Sequence, residues 1–468
     1  MHNWNRRKPV ELDALASHHR LRPTLSWWHL VALGVGAIVG TGIYTLVGIG
    51  ANLAGPAVIL SFGVAGLVCA CAALCYAEVA TAIPASGSAY TYSYVVIGEL
   101  IAWIVGWSLI LEYSLVVSAV AVGWSGYATG FLTSLGVPLP LAISAGPHAG
   151  GIINVPAVLI VFAVAGLLAL GTRESATVNA ILVLVKVVAL ALFIAVALPH
   201  FDAAQFHPFM PYGFTPREVN GTQHGVMAAA AIIFFAFYGF DAISTAAEEA
   251  KNPGRDLPIG IVGSMLVCTV IYVGVAAVAV GSMPFTEYAN SPEPLALILR
   301  NLGQGKVAAI IGAAAIVALP TVILAFLFGQ SRIFFVMARD GLLPESLARV
   351  SKRSGTPVRM TMITAVIVSV LAGLVPLDAI AALANAGTLA AFIAVAVCMM
   401  IMRRREPDRP RIFKTPLPWV VGPLAILGCL YLFWSLPELT KLFFLAWNVL
   451  GFGIYLWVGR NRPQPAVA

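Results

Sequence analysis

Apolar positions in this chain come in long uninterrupted blocks, not in the alternating or three-and-four spacing of half-buried elements. Twelve such blocks lie at about 30–50, 57–80, 99–122, 154–171, 178–198, 225–248, 259–282, 307–331, 358–375, 379–402, 417–434 and 438–458. Each is close to or above the roughly 20 residues that carry a helix across a bilayer. A helix that is apolar on every face is solvated by lipid or fully enclosed by protein. The pattern therefore predicts an all-α polytopic membrane protein of about twelve helices. The polar connections are short apart from those near 123–153 and 199–224, so no separate soluble module is expected.

Composition agrees: the 468 residues are 60% hydrophobic and 10% charged. The net charge of +7 would be compatible with a nucleic-acid partner, but its placement argues otherwise. If the N-terminus is cytoplasmic and every block crosses once, most of the 27 Lys and Arg fall on the cytoplasmic side. That bias is the positive-inside signature of topology, and it places both termini in the cytoplasm. The polar stretch "MHNWNRRKPVELDALASHHRLRP" lacks the apolar core of a cleavable leader. All six cysteines fall in apolar blocks, which implies neither a disulfide framework nor a metal set. His200 and His207 read as solvated loop residues.

Two blocks look interrupted. The first, "LVALGVGAIVGTGIYTLVGIG", carries glycines at 34, 36, 40, 42, 48 and 50, and the sixth, "AAAIIFFAFYGFDAISTAAEE", has Gly239 two residues before Asp241. Glycine weakens a helix interior and lets the backbone unwind, although a glycine face also serves close helix packing. The interruptions occupy matching positions in two halves of five blocks each. An odd number of crossings inverts the second half, and broken helices at matching places of inverted halves point to a transporter's central site. Unwinding would expose N–H groups near Gly42 and Ile43, and carbonyls near Ile38 or Val39 and near Phe235 and Ala236. Donors beside acceptors suit the carboxylate and ammonium of an amino acid.

These stretches also carry a resemblance. "GAIVGTGIYTLVG" (36–48), "CYAEVATAIPASGSAYTYSY" (75–94) and "FFAFYGFDAISTAAEEAKNPGRDLPIGI" (234–261) resemble the amino acid–polyamine–organocation superfamily, most of all bacterial members of its cationic amino acid transporter family. "GQSRIFFVMARDGLLPE" (329–345) and "NAGTLAAF" (385–392) agree, and the likeness runs from about residue 25 to 460. It implies a five-plus-five inverted-repeat core over 26–402 with helices 1 and 6 broken. Around the core would lie a cytoplasmic segment at 1–25, a basic loop at 403–416, two further helices over 417–460 and a tail at 461–468. The carboxylate would rest on the backbone of Gly40, Thr41, Gly42 and Ile43, and the ammonium on carbonyls of Ile38, Phe235, Ala236 and Tyr238. Asp241 would cap the second half of span 6. Tyr238 departs from the Val or Ile usual there, and it would narrow the pocket or add a hydroxyl. No acidic residue is clearly aimed at a cationic side chain, so neutral amino acids are expected.

"AILVLVKVVALALFI" (180–194) holds one lysine among fourteen apolar residues. A charge at the centre of a bilayer helix costs about 2.5–3.5 kcal/mol even on insertion scales. Lys186 lies about eight residues from the expected cytoplasmic end, roughly 12 Å deep, too deep to snorkel easily. In proton-coupled members of the superfamily a span-5 lysine occupies this position, and the resemblance gives Lys186 that part. Glu112, in "GWSLILEYSLVV", is a second intramembrane ionisable group. An intramembrane acid and base invite pairing or a proton relay, and the plainer alternatives are a static ion pair or a water-satisfied buried carboxylate. Glu248, Lys251 and Arg255 around "KNPGRDLP" fit an inner gate or an ordinary capped, salt-bridged loop.

No GxxxxGK[ST] motif is present for an ATP-driven pump, and Glu112, Lys186 and Asp241 alone are thin for catalysis. The expectation is a secondary transporter, not an enzyme, in a bacterial inner membrane. It would import amino acids by proton symport with alternating access, with H⁺ as coupling ion, no metal and no other cofactor. An amino acid or polyamine exchanger without net proton coupling is the alternative. Its partners would be an amino acid and the lipid bilayer, with no nucleic acid and with oligomeric state open.

Overall fold

The structure is a computed structural model that describes residues 6–7, 25–83, 87–169, 176–219, 221–245, 250–289, 291–344, 358–408 and 411–460. Its helices run α1 (Trp27–Ile38), α2 (Thr41–Tyr44), α3 (Leu46–Ala54), α4 (Val58–Ala82), α5 (Ser88–Val96), α6 (Glu99–Ser134) and α7 (Leu141–Ser144). There follow α8 (Val155–Ala169), α9 (Ala176–Ala197), α10 (Val226–Ile233), α11 (Phe240–Thr245), α12 (Pro253–Ser282), α13 (Phe285–Tyr288) and α14 (Pro294–Asn301). The last are α15 (Gly305–Ala318), α16 (Pro320–Arg339), α17 (Val358–Leu374), α18 (Leu377–Arg405), α19 (Pro418–Trp434) and α20 (Glu438–Arg460). A short antiparallel pair, β1 (Arg217–Val219) and β2 (Thr222–His224), sits in the connection before α10.

Each apolar block read from the sequence is helical through its described residues, apart from the breaks given below. Among the described residues eight helical segments are long and apolar enough to cross a membrane, and four shorter apolar helices accompany them. The chain is a polytopic helical membrane protein. Its first and sixth blocks are broken where expected. Block 1 ends its first half at Ile38 and restarts at Thr41, with a second interruption at Thr45. Block 6 passes from α10 through a 3₁₀ turn over Phe234–Ala236 to α11. Block 8 is interrupted too. Helix α15 stops at Ala318 and Pro320 starts α16, because proline lacks the N–H that would continue the ladder. The Ile316 carbonyl that Pro320 cannot serve receives the Trp124 indole N–H at 2.8 Å, and the Thr321 hydroxyl donates to the Ala318 carbonyl at 2.6 Å.

Small residues bring the helices together, as expected where lipid supplies no hydrophobic drive. A Cβ on Gly34 of α1 would strike Ser264 and Ile243, and one on Gly260 of α12 would meet Leu30 at 2.8 Å. Helix α9 shows how an all-apolar segment is sorted. Ile181, Leu184 and Val188 are exposed, while Lys186, Leu190, Phe193 and Ala197 form the buried stripe at helical spacing.

The 403–416 connection is tied to the end of α4. The buried Glu78 carboxylate receives both arms of the Arg403 guanidinium, at 2.6 and 2.8 Å, and the Thr415 N–H at 2.8 Å. Arg411 adds an ion pair at 3.2 Å. The chain before α1 runs beside residues 250–251, where the Lys251 N–H donates to the Leu25 carbonyl at 2.8 Å. The side chains of Lys251 and Arg255 are exposed. Glu248, the 461–468 tail and almost all of the 1–25 segment lie outside the described residues.

Candidate substrate-binding site

The two interrupted segments meet. A Cβ on Gly42 would collide with the Ala236 backbone, and one on Gly239 would meet the Ala37 carbonyl carbon at 2.9 Å. Gly239 also has φ +120°, a region that side chains rarely enter. Glycine at both places lets the breaks lie backbone against backbone, so their unpaired groups share one space. Asp241 fixes the turn in block 6. Its Oδ1 accepts from the Gly239 N–H at 3.0 Å and its Oδ2 accepts from the Tyr113 hydroxyl at 2.9 Å.

A narrow cleft lies between the breaks. Of the residues expected from the sequence, Ile38, Gly40, Thr41, Gly42, Phe235 and Tyr238 line it. Ile43 and Ala236 stand behind that lining, buried. The first N–H groups of α2, on Thr41 and Gly42, have no partner within the helix. The Ile43 N–H turns back to the Gly40 carbonyl at 3.2 Å. On the acceptor side, the Ile38 carbonyl already receives the Tyr272 hydroxyl at 2.8 Å and keeps one lone pair free. The carbonyls of Phe235 and Ala236 fall where the α10 ladder stops.

Sequence reasoning missed the side walls. Val116 and Val120 of α6 and Val322 and Phe326 of α16 complete the cleft, and all four are apolar. No residue-level pattern separates them from lipid-facing valines. Tyr272 and Tyr113 did leave a signal, because a hydroxyl within an apolar span needs an acceptor. A larger cavity of about 720 Å³ adjoins α3 and is bordered by Thr45, Asn52, Ser125, Asn154, Gln223 and Asp378. Its borders include Thr45, at the second interruption of block 1.

Lys186 is fully buried, and its Nζ donates to the Gly36 carbonyl at 2.8 Å, in the last turn of α1 before the break. Its own carbonyl accepts from the Tyr44 hydroxyl at 3.2 Å. One residue of α9 thus holds both halves of the first block. The Tyr44 carbonyl in turn receives the Tyr127 hydroxyl at 2.6 Å. Glu112 is elsewhere. It is fully buried on α6, where a Cβ on Gly387 of α18 would meet its stem at 3.3 Å. The structure does not pair Glu112 with Lys186.

Backbone donors and acceptors facing each other across an apolar-walled cleft fit a small zwitterion. The protein-family model described as amino acid permease matches residues 25–458. The chain belongs to that family. The permease is 46% identical over 465 residues to the branched-chain amino acid permease BcaP of Bacillus subtilis (strain 168), covering 98% of each chain. It is 40% identical over 461 residues to a methylthioribose transporter of the same organism, again covering 98% of each. Cationic amino acid transporter 4, vacuolar, of Arabidopsis thaliana is 38% identical over 415 residues, covering 87% of the permease and 68% of the relative. The permease is a transporter, not an enzyme.

Proposed function

We propose that the permease imports neutral amino acids across a bacterial cytoplasmic membrane by proton symport, through alternating access of the cleft between the two broken segments. In this reading the chain crosses twelve times with both termini inside, and its first ten spans form the inverted repeat. The substrate carboxylate takes the Thr41 and Gly42 N–H groups at the positive end of α2. The ammonium takes the free carbonyl positions around Ile38 and Phe235. Val116, Val120, Val322 and Phe326 favour an apolar side chain, in line with the branched-chain permease among the relatives.

The observation that carries the coupling is the bond from Lys186 to Gly36. The protonated amine braces α1 one turn from the substrate-binding backbone. Loss of its proton removes the charge-assisted bond and frees α1 to move. On the positive-inside orientation the 720 Å³ cavity lies on the outer side. On the inner side Tyr90 bonds Asp340 at 3.0 Å and Ser244 bonds Ser88 at 3.0 Å. That arrangement suits a state entered from outside.

The test is uptake of radiolabelled leucine, isoleucine, valine, arginine and putrescine into proteoliposomes, in sodium-free buffer with an inward proton gradient. Accumulation of the branched-chain substrates above equilibrium, abolished by a protonophore, is expected. Uptake that needs amino acid inside the vesicle and ignores the gradient would assign an exchanger instead.

A further inference from the structure

Each of the two broken segments is held by a side chain from a helix far along the chain. In block 1 the Nζ of Lys186, on α9, donates to the carbonyl of Gly36, two residues before the last residue of α1. In block 6 the Nδ2 of Asn385, on α18, donates to the carbonyl of Ala231 at 2.6 Å and to that of Ile232 at 3.1 Å. Ala231 likewise stands two residues before the last residue of its helix, α10. On the inverted-repeat reading α9 and α18 are the fifth and tenth spans, and the segments they hold are the first and sixth. The same backbone position at each break therefore receives a donor from the same member of the repeat.

The Asn385 contact follows from the break itself. Helix α10 ends at Ile233, and the last carbonyls of a helix have no partner within it. Within a membrane span such groups must be satisfied inside the protein. Asn385 is fully buried, and two carbonyl oxygens within bonding distance require the donor end of its amide to face them. The segment it holds lies between two spaces. Ile232 borders the 720 Å³ cavity, and Phe235, three residues on, lines the cleft.

We propose that Asn385 is a positioning residue for the substrate ammonium: it fixes the end of α10 to α18 and so sets where the carbonyls of the 3₁₀ turn around Phe235 stand. The inference rests on the transport reading and adds to it a residue that does not itself line the cleft. Removing its two donors lets the α10 end shift, which weakens the hold on the ammonium. The carboxylate end, formed by the N–H groups of α2, keeps its own supports, among them the Tyr127 hydroxyl on the Tyr44 carbonyl.

The experiment measures inhibition of radiolabelled leucine uptake in proteoliposomes by three compounds. They are leucine, 2-hydroxy-4-methylpentanoate, in which a hydroxyl replaces the ammonium, and leucinamide, in which an amide replaces the carboxylate. The wild type is compared with Asn385→Leu, which keeps nearly the same size and removes both donors. The leucine constant is expected to rise in the variant, and the hydroxy-acid constant to rise less. Their ratio, hydroxy acid to leucine, falls by roughly three- to tenfold, the worth of one hydrogen bond. The ratio of leucinamide to leucine is unchanged. A purely structural part for Asn385 would move all three constants together or none of them, and either result would overturn the proposal. If Asn385→Leu is not recovered folded, Asn385→Ala is read in the same ratios. Absence of leucine uptake by the wild type would count against the transport reading alone, and the ratios would then be taken from ligand-dependent thermal shifts of the purified protein. No shift with any of the three compounds would overturn the positioning role as well.

Discussion

The Nζ of Lys186 and the carbonyl oxygen of Gly36 are 2.8 Å apart, and both residues are buried. This contact joins α9 to the last turn of α1, two residues before Ile38, which lines the cleft. The Tyr44 hydroxyl meets the backbone of the same lysine from the other side of the break. A charge in an apolar span is tolerated when it faces the protein interior and finds carbonyl acceptors. Its position between the two half-helices ties both of them to α9.

The close approach of the breaks makes glycine substitutions decisive. Gly42→Ala drives a methyl into the Ala236 backbone, and Gly239→Ala adds an unfavourable φ to a contact with Ala37. Strain of about 1–3 kcal/mol at each predicts at least a tenfold loss of leucine uptake at equal membrane abundance. Gly63→Ala, where a Cβ would meet nothing within 4 Å, leaves uptake unchanged.

Tyr272→Phe removes the donor to the Ile38 carbonyl and keeps the ring contacts with Phe62 and Phe237. About 1 kcal/mol for one hydrogen bond predicts a severalfold rise in KM with folding retained. Substrate-dependent thermal shift and uptake kinetics check it together. An unchanged KM would mean that this carbonyl does not meet substrate.

Glu78→Gln leaves Arg403 and Arg411 facing a neutral amide at the end of α4. Breaking a buried ion pair costs about 3–5 kcal/mol; Arg403 is partly exposed, which puts the expected loss at or below the lower end. Chemical unfolding in detergent should show it. Arg403→Lys should lose less than Glu78→Gln but more than nothing, because an ammonium cannot reproduce the two-armed contact.

The breaks, the buried lysine and the polytopic helical class were legible because each leaves a local mark. Glycine clusters, an early Asp241 and a charge in an apolar run are visible without a partner. Partnership across the fold was not legible. Glu112 and Lys186 are both deep in spans, and a sequence carries no register between α6 and α9. The structure gives Lys186 a backbone carbonyl of α1 and sets Glu112 against Gly387 of α18. Val116 and Val322 line the cleft while Val188 faces outward, and nothing local distinguishes these valines.

The central claim is that Lys186 couples proton movement to opening. Its most direct test is a side-by-side measurement of wild type and Lys186→Ala in proteoliposomes, recording gradient-driven leucine accumulation and leucine–leucine exchange at zero gradient. The account predicts that the variant loses accumulation and retains measurable exchange or binding. Accumulation that survives in Lys186→Ala at the wild-type level would contradict it, and would leave the lysine as a brace for α1 alone.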